Sequence, residues 1–283
     1  MKKTGRRSSN IEDRRGGTSS LVVGGGGLGA LVLALVVTML GGDPSIVLDQ
    51  VAQSPSQSQT SSQQTSPAED ELAEFTSIVL ADTEDTWNQI FQEEIGQPYQ
   101  EPALVLFSGS VQSGCGAAQS AMGPFYCPAD QKVYIDLSFY NDLKSRHQAP
   151  GDFAQAYVVA HEVGHHVQNI LGISNQVRQL QSRASKAEAN QLSVRLELQA
   201  DCFAGVWANR ADKARDILES GDIEEALNAA SQIGDDRLQE QSRGFVVPES
   251  FTHGSSAQRV RWFRQGLATG NIEQCNTFSG GQV

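Results

Sequence analysis

Apolar positions recur at steps of three and four residues over much of the chain after residue 150. In residues 152–171 this spacing predicts a buried helix that begins with Asp152 as its cap and stops at Gly172. Residues 194–210 show the same spacing and predict a second buried helix. An amphipathic helix that ends at Gly96 is predicted from residue 69 onward.

Two short apolar stretches between these helices have the composition of strands. They cover residues 102–109 and 131–139, and in the second Val133, Ile135 and Leu137 alternate with polar residues. The order of helix, small sheet and helical body is typical of an α+β fold. We therefore expect one domain over residues 69–278, in which a small antiparallel sheet packs on a mainly helical body.

The N-terminal region has a different pattern. Residues 21–40, LVVGGGGLGALVLALVVTML, carry no charge, and a helix of about 20 residues spans the hydrocarbon core of a bilayer. Basic residues cluster before this stretch, so the positive-inside rule predicts that residues 1–20 are cytoplasmic, with the domain beyond the membrane. A cleaved signal peptide is the alternative, although its apolar region is normally shorter. Residues 41–68, rich in Ser, Gln and Pro, are predicted to form a flexible linker.

Charge and cysteine content narrow the class of protein. The formal net charge is −12, and the part of the chain after the basic N-terminal cluster is more acidic still. Such an acidic body argues against binding to the phosphates of nucleic acid. Four cysteines fit an oxidising compartment and allow three pairings. Loop closure favours Cys115 with Cys127, which leaves Cys202 with Cys275, and free buried thiols are the alternative.

The candidate chemistry lies in the segment HEVGHH within the first buried helix. His161 and His165 are four residues apart and therefore project from one helix face, where two neutral imidazoles can share a divalent ion. Glu162 lies beside them, close enough to act as a general base on a water molecule that zinc activates. The alternative is a pair of core histidines bonded to backbone carbonyls.

A catalytic zinc site needs a third protein ligand, and the second buried helix offers one. Glu197 and Asp201 are also four residues apart and lie in an apolar stretch, where two carboxylates are costly without a cation. Zinc would compensate Glu197, and the distal N–H of a zinc-bound histidine would compensate Asp201. The alternative places both carboxylates in solvent beside Arg195.

These two segments, HEVGHH and ELQADCFAG, resemble the gluzincin class of zinc peptidases. The region from SGCGAAQSAMGPFYC to FTHGSSAQRVRWF resembles more closely the bacterial membrane-anchored neutral zinc metallopeptidases, over residues 69–278. The resemblance implies a zincin-like domain with Zn²⁺ bound by His161, His165 and Glu197. It also implies Glu162 as the general base and Asp201 as the partner of a ligand.

Two further histidines have different expected roles. His166 points about 100° away from its neighbour around the helix, so we expect it to be structural. His253 lies beside a glycine in a loop before a helix capped by Ser255 or Ser256, and it is the candidate for stabilising the oxyanion. Tyr126 and Tyr157 are the alternatives for that role, and the strand at residues 131–139 is a candidate edge for an extended substrate.

The resulting hypothesis is a single-pass zinc endopeptidase in the cell membrane, with its domain extracytoplasmic and with protein or peptide substrates. A second hypothesis is a tethered, non-catalytic zinc module of the cell envelope, because ligands alone do not prove turnover. Glu162 favours the enzyme, since a structural site needs no base. A third hypothesis, a histidine pH sensor, predicts that no metal binds.

Overall fold

The computed structural model describes residues 1–3, 5–16 and 65–279. This part of the chain contains eight α-helices, most of them after residue 137. They are α1 Pro67–Ile90, α2 Ser138–Ser145, α3 Asp152–Ile170, α4 Ile173–Gln181, α5 Lys186–Arg215, α6 Asp222–Gln232, α7 Asp235–Arg243 and α8 Ser256–Thr269. The predicted α+β class is therefore confirmed.

Six strands form two small sheets in the described part. They are β1 Ile11–Asp13, β2 Ala103–Phe107, β3 Ser110–Ser113, β4 Gly116–Gln119, β5 Phe125–Cys127 and β6 Lys132–Asp136. The larger sheet has the strand order β1-β2-β6-β5, and β3 and β4 form a separate hairpin.

The larger sheet is mixed, and the prediction of an antiparallel sheet is wrong. β2 pairs in parallel with both β1 and β6, and only β5 and β6 are antiparallel. The cause is the long connection between β2 and β6, which carries the hairpin and β5 and returns the chain to its starting edge before β6 begins. A parallel pair needs such a crossover, whereas a tight turn joins antiparallel strands. β6 is consequently an inner strand, and β5 takes the edge position that was expected for residues 131–139.

One element boundary differs from the sequence pattern, and another agrees with it. β6 stops at Asp136, whose carboxylate accepts hydrogen bonds from the N–H groups of Ser138 (2.9 Å) and Gly109 (2.8 Å), and α2 begins at Ser138. Helix α1 continues through a π-helical turn, Phe91–Ile95, and ends at Gly96 with φ 73°, as its glycine predicts.

The main core is built around α3 and α5, and side chains of α1, α6, α8, β2 and β6 also contribute to it. Phe153 of α3 stacks on Trp207 of α5 with ring centroids 5.8 Å apart, and both side chains are fully buried. At the crossing of α3 and α5 a Cβ on Gly164 would lie only 3.0 Å from the carbonyl oxygen of Ala200. Glycine thus permits a close approach of the two helices that carry the predicted site.

The N-terminal residues pack on the domain. Met1–Arg15 belong to the same compact unit as the chain from Thr65 onward, although the sequence predicts a separate segment over residues 1–20. The boundary at residue 69 therefore omits part of the body. The predicted anchor at 21–40 and nearly all of the predicted linker at 41–68 lie outside the described residues. Among the residues that the structure describes, no helix is long and apolar enough to cross a membrane.

Two disulfides join the cysteines in the pairing that loop closure favours. Cys115 is bonded to Cys127, and Cys202 is bonded to Cys275. The first closes the β3–β5 region, which lines the cleft described below, and the second ties α5 to the C-terminal 3₁₀ turn Ile272–Cys275.

Candidate active site

His161 and His165 of α3 each contact an oxygen through Nδ1 and turn Nε2 toward Glu197. His161 has its Nδ1 at 2.8 Å from Asp201 Oδ1, and His165 has its Nδ1 at 2.9 Å from Gln168 Oε1. Because each Nδ1–H has an oxygen acceptor, the tautomer with a free lone pair on Nε2 is favoured in both rings. The spacing of four residues and these two partners together orient a pair of nitrogens that could bind a metal ion.

Glu197 of α5 supplies the third donor. Its carboxylate lies 3.2 Å from His161 Nε2 and 3.4 Å from His165 Nε2, and the three residues offer ligand atoms within 4.8 Å of one another. Two ligand atoms that each bind a tetrahedral zinc at about 2.0–2.1 Å lie about 3.3 Å apart. The donor set and its spacing therefore fit zinc, and they leave the fourth position of a tetrahedron open.

The charge of the cluster also favours a cation. Burial by itself would lower the pKa of His161, yet the carboxylates of Asp201 and Glu197 raise this pKa to about 9. Burial would likewise raise the pKa of Glu197, but the two imidazoles lower it well below its ordinary value. Positive charge is stabilised at this point, as a metal site requires.

Asp201 is the centre of a buried network that joins three helices. Its carboxylate accepts hydrogen bonds from the Tyr157 hydroxyl (2.5 Å) and from the Arg259 guanidinium through Nε (2.9 Å) and Nη2 (3.0 Å), in addition to His161. Burial would raise the pKa of Asp201, but Arg259 and His161 lower it to about 2. Asp201 is thus held ionised, and it can fix the orientation of the His161 ring.

Glu162 lies within the same region, and its environment suits a base. The side chain is buried, and burial raises its pKa above the ordinary value of 4.5. It lines a cleft of 710 Å³ whose wall also includes His165, Glu197 and His253. A carboxylate with a raised pKa is a better proton acceptor near neutral pH than an ordinary one.

His253 reaches this cleft from the loop before α8, and Asp235 holds it there. Asp235 Oδ2 accepts the backbone N–H of His253 (2.6 Å), and Oδ1 lies 3.2 Å from the ring Nδ1. The hydrogen bond to Asp235 raises the pKa of His253. The ring therefore presents its other nitrogen, Nε2, as a donor that stays protonated to higher pH than usual.

The remaining candidates serve structure. His166 donates from Nε2 to the Gln100 carbonyl (2.5 Å), and its Nδ1 lies 3.0 Å from the Tyr126 hydroxyl. Burial lowers the pKa of His166 to about 4, so it is neutral at physiological pH. The hydroxyls of Tyr126 and Tyr157 are both occupied by these two networks, which leaves His253 as the better placed of the three proposed donors.

Three residues that position the site were not found from the sequence. Gln168 carried a detectable signal, because it follows His165 by three residues on the same helix face. Asp235 and Arg259 are 18 and 58 residues from their partners, His253 and Asp201. Their roles depend on how α7 and α8 fold back onto α3 and α5, which no local pattern records.

Comparison with known proteins agrees with this geometry. The chain matches the model of a family described as "putative neutral zinc metallopeptidase" over residues 1–278. Uncharacterized protein YpfJ of Escherichia coli is 55% identical over 285 residues, which cover 98% of this chain and 99% of the relative. Uncharacterized protein Rv2575 of Mycobacterium tuberculosis is 46% identical over 191 residues, 64% of each chain. No solved structure matches the chain.

Proposed function

Because the chain belongs to the neutral zinc metallopeptidase family, we propose that it is a zinc-dependent endopeptidase with a zincin-like domain. The observation that carries this proposal is the convergence of His161, His165 and Glu197 beside the buried Glu162, in the wall of one cleft. Two histidines and one glutamate are a donor set of catalytic zinc sites, whereas structural sites are closed by four protein ligands.

The proposed chemistry divides between the metal and the chain. Zinc at this site would supply Lewis acidity, polarising a peptide carbonyl and lowering the pKa of water to about 7. Glu162 takes the proton from the attacking water and gives it to the leaving amine, so one carboxylate acts first as base and then as acid. Burial raises the pKa of Glu162, which makes its carboxylate a stronger proton acceptor.

His253 is the proposed donor to the oxyanion that forms on the carbonyl carbon. Asp235 holds the ring at Nδ1, which leaves Nε2 available as the donor, and His253 lines the same cleft as Glu162 and Glu197. A charged donor aimed at developing negative charge stabilises the transition state more than the ground state. Asp201, Tyr157 and Arg259 act through His161 in this scheme.

The proposed substrates are proteins or peptides that enter the cleft in an extended form. Phe125 and Tyr126 of β5 line the cleft, and β5 is the last strand of the sheet within the described part of the chain. An extended peptide can add to such an edge through backbone hydrogen bonds. This pairing would lay the scissile bond along the wall that carries Glu162.

We also propose that the domain works outside the cytoplasm, with the apolar residues 21–40 associating with the membrane. Support comes from the two disulfides, which form and persist in oxidising compartments. The uncharged stretch of 20 residues supports membrane association.

The decisive experiment compares Glu162→Gln with wild type. We expect the variant to keep a zinc stoichiometry of one by elemental analysis and to lose about 10²–10⁴-fold in cleavage of an unstructured casein substrate. Glu240→Gln, a matched change at an exposed position of α7, should cleave like wild type. Bound zinc without cleavage by wild type would instead support the non-catalytic zinc module. Full activity of Glu162→Gln would refute the role of the base.

A further inference from the structure

We propose that Met1–Arg15 form an arm that stays docked on the domain in the full-length protein, which keeps the arm and the domain on one side of the membrane. A docked arm excludes a single crossing by residues 21–40. The inference is independent of peptidase activity. The surface in question is the part of the domain that the N-terminal arm of the same chain contacts.

The first part of this surface is the outer edge of β2. The arm contributes β1, whose Ile11, Glu12 and Asp13 pair with Leu104, Val105 and Leu106. The pairing extends by one bond at each end, from Leu104 N–H to the Asn10 carbonyl and from Arg14 N–H to the Leu106 carbonyl, each 2.8 Å. Without the arm, β2 would expose an apolar strand with unpaired backbone groups.

The second part is a buried carboxylate whose partners all come from the arm. Glu84 of α1 is fully buried. Its oxygens accept hydrogen bonds from Arg6 (2.7 Å), Ser8 (2.5 Å) and Asn10 (2.8 Å), and no other side chain in the described ranges is bonded to them. An undocked arm would leave this charge without a partner inside the protein, so the surface is built for the arm.

The start of the arm reaches the helix that carries the candidate site. The Met1 side chain is buried in the main core, and its amino group lies 2.5 Å from Asp152 at the beginning of α3. Lys2 N–H donates to the Ile217 carbonyl (2.9 Å). Sheet edge, buried carboxylate and core are thus engaged along the whole arm.

Five of the six basic side chains of the arm pair with acidic side chains of the domain, whereas Arg14 pairs with Glu12 of the arm itself. This changes the interpretation of the charge cluster that predicted a cytoplasmic N-terminus, because the same cations complement acidic side chains of the body. The ion pairs to the domain are Lys2–Asp216, Lys3–Asp152, Arg6–Glu84, Arg6–Asp85, Arg7–Glu74 and Arg15–Asp70.

The topological consequence follows from connectivity. Met1–Arg15 and the chain from Thr65 onward belong to one compact unit, and residues 16–64 connect these two parts along the sequence. One crossing between these two parts would place the arm and the domain on opposite sides of the bilayer, where none of the contacts above can form. A second crossing by residues 41–64 is disfavoured, because they are rich in Ser and Gln and include Asp43 and Asp49.

Exposed cysteines at one ion pair of the interface test the proposal in membranes. Arg7 and Glu74 face each other at 61% and 49% side-chain exposure, and the four native cysteines are held in disulfides. The full-length Arg7→Cys/Glu74→Cys variant is treated with a short bismaleimide in isolated membranes, and the cross-linked peptide is sought by mass spectrometry. The single variants are labelled with an impermeant maleimide in sealed vesicles of known orientation.

We expect the double variant to cross-link within one chain, and both single cysteines to react from the same side. Adding Glu84→Ala should lower the cross-linking yield by weakening the docked state, whereas Glu71→Ala, at an exposed position of the same helix α1, should leave it unchanged. Absence of the cross-link, or reaction of Arg7→Cys only from the side opposite to Glu74→Cys, would overturn the proposal. Cross-linking of protein that does not sediment with membranes would still support the docked arm.

Discussion

Two fully buried carboxylates, Asp201 and Glu84, are surrounded in similar ways yet serve different ends. Each accepts hydrogen bonds from three side chains, one of which is an arginine. For both, burial would be prohibitive without these donors. By burial and partner number alone, the two sites would look equally functional.

The two carboxylates differ in whether one of their partners also contacts a residue of the cleft. Asp201 holds Nδ1 of His161, and the other nitrogen of that ring lies 3.2 Å from Glu197 in the wall of the cleft. The donors to Glu84 belong to the arm and lie away from the cleft lining. A buried ionised side chain therefore marks a constraint on the fold, and it marks chemistry only where the constraint orients a further donor toward an open site.

The largest effect, a loss of zinc affinity, is expected from substituting Glu197. Glu197→Ala removes a direct donor, and because loss of an outer partner already costs about 10–100-fold in metal affinity, we expect a loss of more than about 100-fold here. Competition with a chelator, followed by elemental analysis, measures it. Unchanged zinc affinity would mean that another residue is the third ligand.

Arg259→Met should affect both stability and zinc affinity. It leaves Asp201 buried without its cation, which costs about 3–5 kcal/mol of unfolding free energy. The loosened carboxylate should also lower zinc affinity by about 10–100-fold. Urea denaturation and zinc titration test the two effects. Arg259→Lys retains the charge but not the planar guanidinium, so its unfolding free energy and zinc affinity should lie between those of Arg259→Met and wild type.

Arg6→Met is the matched change in the other network. Ser8 and Asn10 still donate to Glu84, so we expect a loss of about 1–3 kcal/mol in unfolding free energy. Zinc affinity should equal that of wild type. A drop in zinc affinity comparable to that of Arg259→Met would contradict the distinction between the two networks.

The smallest effect is a shift in pH dependence. Asp235 raises the pKa of His253 above 6.5, so the charged pair contributes stability below pH 6.5 and loses it as the pH rises through the raised pKa. If protonated His253 is the donor, activity falls over the same range. Asp235→Asn should therefore move the alkaline limb of kcat/KM to lower pH, and an unmoved limb would remove His253 from the mechanism.

Much of the fold and of the candidate site follows from local pattern. Helix α3 was predicted from its apolar spacing and its closing Gly172, and two pairs of residues four apart placed His161, His165, Glu197 and Asp201 on two helix faces. Such inferences succeed because helix geometry fixes which side chains share a face, whatever the rest of the chain does.

Other features could not be read locally. The mixed sheet depends on the path of the connection between β2 and β6, and the docked arm depends on contacts between residues more than 70 positions apart. The basic cluster in residues 1–20 is compatible with both a cytoplasmic flank and an interface with acidic residues. Charge alone does not distinguish these two environments.

The sequence by itself indicated the α+β class, a preference for one disulfide pairing from loop closure, and the candidate zinc donors, since each depends on spacing along one segment or on a short loop. The tertiary structure decided that those donors converge to within 4.8 Å, that Arg259 and Asp235 support them, and that the N-terminal arm completes the sheet. These outcomes require the packing of helices and strands distant in sequence, whose relative positions are set by burial and by the partners that buried charges demand.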